Sequence, residues 1–276
     1  MQLATIRTAD GTRAVRLDGD TAVEVGKADV GTLLANPGWQ QRAVDVSGPT
    51  HPAGSLNFAP VVTRPSKIVC VGLNYRNHIL EMGRDLPEYP TLFAKFAEAL
   101  IGAADDIALA PESDKVDWEA ELAVIIGTPV RRADEAQAAA AIAGFSVLND
   151  ITMRDWQYRT TEWLQGKAFE GTTPLGPVLV TPDELPGGVH PSLTMTAEVD
   201  GETVQRAETS DLVFGPVALV QYISTIVTLQ PGDIIATGTP GGVGHARKPP
   251  RYLADGSVVT TSITGIGTLR NVAGPA

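Results

Sequence analysis

Cysteine is nearly absent: Cys70 is the only one in 276 residues, so no intramolecular disulfide can brace the fold, which fits a reducing compartment. It lies inside Ile68-Val69-Cys70-Val71 and reads as a buried strand residue, not as an activated nucleophile. Aromatic residues form 5% of the chain, so stacking surfaces are scarce. No apolar run approaches the roughly 18 residues of a membrane span. The opening Met1-Gln2-Leu3-Ala4-Thr5-Ile6-Arg7 has no basic patch followed by an apolar stretch, so a cytoplasmic protein is expected. Positive charge is also short, with 21 Lys and Arg against 32 Asp and Glu, a formal charge of −11. That balance argues against nucleic acid or an anionic membrane as partner. An anionic substrate would need cations placed locally.

What is present is a globular composition, 43% hydrophobic and 19% charged, long enough for one large domain or a main domain with a small appendage. Residues 1–60 read as short strands with turns at Asp10-Gly11 and Asp18-Gly19-Asp20, then a loose Gly-, Pro- and Ser-rich stretch over 36–60. A small N-terminal β-rich domain and linker (1–60) ahead of a catalytic domain (61–276) is the expected organisation. Residues 67–73 read as a buried strand. An alanine-rich helix is expected over 133–143, opened by Asp134, with a strand following over 144–149. Asp200-Gly201 joins a hairpin, Pro216 opens a helix to about residue 227, and strands are expected over 229–236 and 258–272. Strands outnumber helices without regular alternation, which predicts a mixed α/β, mostly β architecture.

Two carboxylates one residue apart, Glu119 and Glu121, precede the apolar run Leu122-Ala123-Val124-Ile125-Ile126. Alternate side chains of a strand share a face, so the two repel and lose hydration unless a cation or a shared proton compensates them. Asp150 ends another apolar stretch and, read as the start of a helix, puts Arg154 and Gln157 on one stripe below it. Three oxygen donors suit Mg²⁺ or Mn²⁺ better than Zn²⁺. His78 and Glu81 stand at i, i+3, where Glu81 can accept a hydrogen bond from one ring nitrogen and raise the basicity of the other. Residues 82–90, with Gly83, Pro87 and Pro90, read as a loop, so this pair is placed on a mobile lid. Lys95, which interrupts an apolar run, Arg154 and Lys167 are the candidate cations for a carboxylate. Thr237-Gly238-Thr239-Pro240-Gly241-Gly242 fits neither nucleotide-binding pattern and reads as a turn or an oxyanion cradle.

Taken in order, Gly72-Leu73-Asn74-Tyr75 with His78 and Glu81, Lys95, Glu119 and Glu121, Asp150 with Arg154 and Gln157, Lys167, and Thr237-Gly238-Thr239-Pro240 resemble the fumarylacetoacetate hydrolase family over about residues 64–272. The resemblance implies a β-roll catalytic domain, often homodimeric, with Mg²⁺ or Mn²⁺ at Glu119, Glu121 and Asp150. It further implies a His78–Glu81 lid dyad, with Lys167, Tyr75, Lys95, Arg154, Gln157 and Thr239 around a small 2-oxo acid. The activity it implies is hydrolysis of a C–C bond in a β-diketo acid such as an acylpyruvate, as in aromatic catabolism. Oxaloacetate decarboxylation, isomerisation of ring-fission products and dehydration of sugar acids are the alternatives. The chain departs from many relatives in reading Lys167-Ala168-Phe169-Glu170 where they have Lys-Ser-Phe-Asp, and Phe96-Ala97 where they have Pro-Ser.

Overall fold

The computed structural model describes residues 1–81 and 83–276. The strand Ala120–Ile126 is apolar at nearly every position and buried throughout, so it must be covered on both faces. The alternation of its side chains divides the core accordingly. Leu122, Val124 and Ile126 join one cluster with Met195, Val199 and Leu269, while Ala123 and Ile125 join another with Leu3, Val30 and Cys70. On one side Ala120–Ile126 pairs antiparallel with Ile142–Asn149, which pairs with Thr173–Val180. On the other lie Ile234–Ala236, then Ile68–Gly72 and Thr91–Lys95. These strands form one half of an eleven-stranded sheet, with Thr91–Lys95 at its edge.

The N-terminal strands Gln2–Thr8, Gly11–Asp18 and Thr21–Lys27 extend that same sheet, with Gln2 opposite Val180. The boundary expected near residue 60 therefore does not interrupt the sheet. A five-stranded sheet, ordered Glu202–Glu208, Thr194–Val199, Val258–Ile263, Gly267–Pro275, Ile107–Leu109, covers the other core cluster. The architecture is mixed α/β and mostly strand, as the sequence predicts.

Local signals explain most elements. Asp134 caps Glu135–Ala141 by accepting from the Gln137 backbone N–H, and Gln137 returns a bond to the Asp134 N–H. Pro216 starts the helix Pro216–Ile226. Three expectations are corrected. The loose stretch over 36–60 contains a helix, Trp39–Asp45, held by burial of Trp39 and Ala43. The strand expected over 229–236 shrinks to Ile234–Ala236, because Gln230 and Asp233 close a turn. Asp150 does not start a helix: its N–H donates to the Glu119 carbonyl at 2.8 Å, and Thr152–Met153 forms a short bridge before the helix Arg154–Gln157. Of the expected lid loop, Met82 lies outside the described residues, and residues 83–90 carry no helix or strand. Among the described residues no helix is long and apolar enough to cross a membrane.

Candidate active site

Glu119 and Glu121 flank Ala120 at the start of the central strand, and the neighbouring strand delivers Asp150 just past Asn149. The Glu119 N–H donates to Asn149 Oδ1 at 2.9 Å, and Asn149 Nδ2 donates to Thr261 Oγ1 of the second sheet. One oxygen from each of Glu119, Glu121 and Asp150 lies within 4.8 Å of the others, and all three residues are buried. Two oxygens sharing one ion can lie no farther apart than twice the metal–oxygen distance, about 4.2 Å for Mg²⁺ and about 5 Å for Ca²⁺. The all-oxygen set, gathered within that span, therefore fits a hard divalent ion. Burial, with Asp150 and Glu119 adding repulsion, holds the Glu121 carboxyl well above its ordinary range, so the protein's own cations leave the trio short of positive charge.

Those cations are near. Lys167 Nζ donates to Glu119 Oε2 at 2.8 Å and to Asp150 Oδ2 at 2.7 Å, and lies 5.0 Å from the Phe93 ring centroid. Arg154 reaches Glu119 Oε1 at 2.7 Å, donates from Nε to Asp117 Oδ2 at 2.7 Å, and donates from a terminal nitrogen to Gln157 Oε1 at 2.9 Å. Burial works against the Lys167 charge, but Asp150 and Glu119 outweigh it and raise its pKa. Asp150 is pushed up by burial yet held below its ordinary value by Lys167 and Lys95. Glu121 Oε2 accepts from the Gly238 N–H at 2.8 Å. Gly238 has φ +100, and a Cβ there would approach the Val71 carbonyl oxygen to 2.8 Å, so this turn requires glycine.

A cleft of about 410 Å³ opens beside the trio, with Glu119 on its wall. Of the expected residues it is lined by His78, Glu119, Arg154, Gln157, Lys167 and Thr239. Two expected substrate contacts are not on its wall. Lys95 is wholly buried against Asp150, donating to Oδ1 at 2.7 Å and to the Ile151 carbonyl at 3.1 Å, so in this structure it serves the carboxylate. Tyr75 is wholly buried in the core; burial, then the nearby Glu121 charge, raise its pKa, and among the described residues its hydroxyl has no hydrogen-bond partner. His78 and Glu81 converge on Gly241, where a Cβ would lie 3.0 Å from His78 Nδ1 and 3.6 Å from Glu81 Oε2. Among the described residues no hydrogen bond joins the two side chains. Burial lowers the His78 pKa more than the Glu81 and Glu119 charges raise it, so the imidazole is neutral at pH 7.

Several wall residues carry no sequence signal of their own. Trp163 packs against Gly72 and meets the Phe93 ring edge-on at 5.5 Å. His245 bonds the Tyr252 hydroxyl through Nδ1 at 2.8 Å and lies against Tyr158. Asp117 accepts from the Gly244 and His245 N–H groups as well as from Arg154, and so fixes the rim to the guanidinium. The density of acids over residues 112–121 is the only hint of it.

Residues 67–273 match the model of the fumarylacetoacetate (FAA) hydrolase C-terminal domain. The chain is 44% identical over 233 residues, 84% of its length and 74% of the relative's, to a Bos taurus protein named oxaloacetate tautomerase FAHD2A, mitochondrial. Among solved structures, a fumarylacetoacetate hydrolase from psychrophilic Exiguobacterium antarcticum superposes with a TM-score of 0.90 at 31% identity, covering 100% of both chains. A 5-carboxymethyl-2-hydroxymuconate delta-isomerase from Mycobacterium smegmatis does so with a TM-score of 0.82, also at 31% identity and with 100% of both chains covered. The acid trio, the cations around it and these likenesses agree: the chain belongs to the fumarylacetoacetate hydrolase family.

Proposed function

We propose that this chain moves a proton within a small 2-oxo acid, interconverting the keto and enol forms of an oxaloacetate-like dianion. The observation that carries the reading is the buried trio Glu119, Glu121 and Asp150 with Lys167 and Arg154 bound to it, beside a cleft whose wall includes Glu119, Lys167, Arg154 and a neutral His78. The relatives named oxaloacetate tautomerases, 42% and 44% identical, support the substrate class. Held by the three carboxylates, Mg²⁺ or Mn²⁺ would supply a Lewis acid that favours negative charge on the keto oxygen. Arg154, Lys167 and the Thr239 hydroxyl bind the substrate's anionic end. The neutral ring of His78 takes a proton from C3 of the keto form, and the imidazolium returns one to the C2 oxygen, so no atom is gained or lost. Glu81 favours the imidazolium while it exists. Enol oxaloacetate with Mg²⁺ tests the reading. Enol absorbance should decay faster than in buffer without pyruvate appearing, and an unchanged decay rate would overturn it.

Hydrolysis of an acylpyruvate is the second reading, favoured by the cleft itself. At about 410 Å³, with Phe93, Trp163 and Val243 on its wall, it lies within the size range of sites for larger ligands and has room beyond a four-carbon acid. There His78 would deprotonate water for attack on the distal carbonyl. The C–C bond would break to give a carboxylic acid and the enolate of pyruvate. Acetylpyruvate separates the two: hydrolysis releases acetate, and tautomerisation does not.

A further inference from the structure

Gln205 stands on the strand Glu202–Glu208 of the second sheet, distant in sequence from every residue of the cleft, and is 2% exposed. Its amide is fully engaged. Oε1 accepts from the Ala120 N–H at 3.0 Å, between the two glutamates of the trio. Nε2 donates to the Pro240 carbonyl at 3.0 Å and to Thr239 Oγ1 at 2.9 Å. A backbone N–H can only donate and a carbonyl can only accept, so these two partners fix the orientation of the amide without ambiguity. One amide hydrogen goes to Pro240, which leaves the other for Thr239. The Thr239 hydroxyl therefore accepts from Gln205, and its own hydrogen must point elsewhere. Among the described residues nothing else in the protein bonds it, and Thr239 lines the cleft.

We infer that Gln205 is a positioning residue: by donating to the Thr239 oxygen it fills one of that hydroxyl's two lone pairs and turns the hydrogen away from the amide and into the cleft, presenting Thr239 as a donor to an anionic oxygen of the ligand. This rests on the 2-oxo acid reading of the cleft and adds how one contact acquires its polarity. A threonine hydroxyl left alone donates or accepts with equal ease and would greet an ammonium as readily as a carboxylate. With one lone pair filled and its hydrogen directed into the cleft it is biased toward acids, which matters in a protein whose net charge is −11. The same amide ties the glycine turn to the strand that carries Glu119 and Glu121, so donor and carboxylates keep a fixed spacing. The turn seats closely on Gln205's strand: Gly242 has φ +103, and a Cβ there would collide with the Val204 carbonyl.

Oxalate with Mg²⁺, titrated calorimetrically into the wild-type protein and four variants, tests the inference without relying on turnover. Thr239→Val should weaken oxalate binding roughly tenfold or more, the loss of one hydrogen bond to a charged group, while Thr239→Ser stays within about twofold of wild type. Gln205→Met should weaken binding comparably on its own, but by no more than about twofold when added to Thr239→Val, because the donor it orients is already gone. Wild-type affinity in Gln205→Met, or the same loss in both backgrounds, overturns the inference, since a merely structural glutamine would cost the same with or without the hydroxyl. If Gln205→Met does not fold, the threonine pair decides, and wild-type affinity in Thr239→Val overturns the inference. No oxalate binding by the wild-type protein overturns the 2-oxo acid reading itself, and this inference with it.

Discussion

Lys95 Nζ lies 2.7 Å from Asp150 Oδ1, with both side chains wholly buried, while Lys167, which lines the cleft, holds the other oxygen, Oδ2, at 2.7 Å. Such a pair does not by itself mark stability, because desolvation offsets much of the attraction; removing one partner is another matter, since the remaining charge is stranded. Lys95→Met should therefore destabilise the protein by about 3–5 kcal/mol in urea unfolding. Because Lys167 still neutralises Asp150 in part, the lower end of that range is expected. A loss below about 1 kcal/mol, the range of exposed pairs, would show that Lys95 does not hold Asp150 in place.

The carboxylate trio makes a second prediction, read on the protein without substrate. Mg²⁺ or Mn²⁺ at a hundred times its dissociation constant should raise the unfolding free energy by about 2.7 kcal/mol. Glu121→Gln should abolish most of that gain, and it should itself be nearly neutral or stabilising without the ion, because the replaced carboxyl is buried beside two like charges. Thermal melts with and without a chelator check both. Equal ion-dependent stabilisation of Glu121→Gln and wild type would remove Glu121 from the ion site.

The features legible in the sequence are those decided within a few residues. The Asp134 capping box, the Pro216 helix start and the Asp200-Gly201 hairpin are each complete in a short window, and the structure places each where its signal lies. The carboxylate trio is legible for a related reason: the two-residue period of a strand puts Glu119 and Glu121 on one face without reference to anything distant. Asp117 and Gln205 are not legible, because their partners are set by how the sheets meet. Asp117 accepts from Gly244 across 127 positions of sequence, and Gln205 reaches Ala120 across 85. Lys95 and Tyr75 fail differently. No sequence pattern separates a side chain on the cleft wall from one buried off it, and Lys95, at the end of Thr91–Lys95 where that strand pairs with Ile68–Gly72, is set against Asp150.

Asp29 supplies a prediction away from the site. Its Oδ1 accepts from the Thr32 N–H at 2.8 Å and caps the helix Val30–Leu34, while Oδ2 accepts from the Thr63 N–H at 2.8 Å and so ties that helix to the chain entering the central sheet. Burial pushes the carboxyl up, but the bonds from Thr32 and Thr63 outweigh it and hold the pKa below its ordinary value. A depressed folded pKa means the unfolded chain binds protons first. The stabilisation is thus complete above the unfolded value near 3.9, and is lost as pH falls through the folded one. Asp29→Ala should cost about 2 kcal/mol at neutral pH, in the range of a lost cap and the bond to Thr63. The gap between variant and wild type should narrow below about pH 4. Urea midpoints across that range measure it, and a gap independent of pH would mean that the charge contributes nothing.

The last prediction concerns the base. Burial lowers the His78 pKa more than the Glu81 and Glu119 charges raise it, so its titration falls below the ordinary value near 6.5. A general base works in its neutral form, so kcat/KM for enol–keto exchange should be flat through neutral pH. It should then fall with unit slope as the medium is acidified past the lowered pKa, below pH 6.5. Glu81→Gln removes a charge that favours the imidazolium, so the acid limb should move further down in pH while the plateau drops, because the protonated intermediate loses its support. Removing the ring by His78→Asn should cost roughly a hundredfold or more and abolish the limb. A profile whose acid limb is unchanged in His78→Asn would assign the titration to another group, and wild-type rates in that variant would remove His78 from the chemistry. Movement of the limb upward in Glu81→Gln would mean that Glu81 does not act on His78 through its charge, and the two would then share the Gly241 end of the cleft for unrelated reasons.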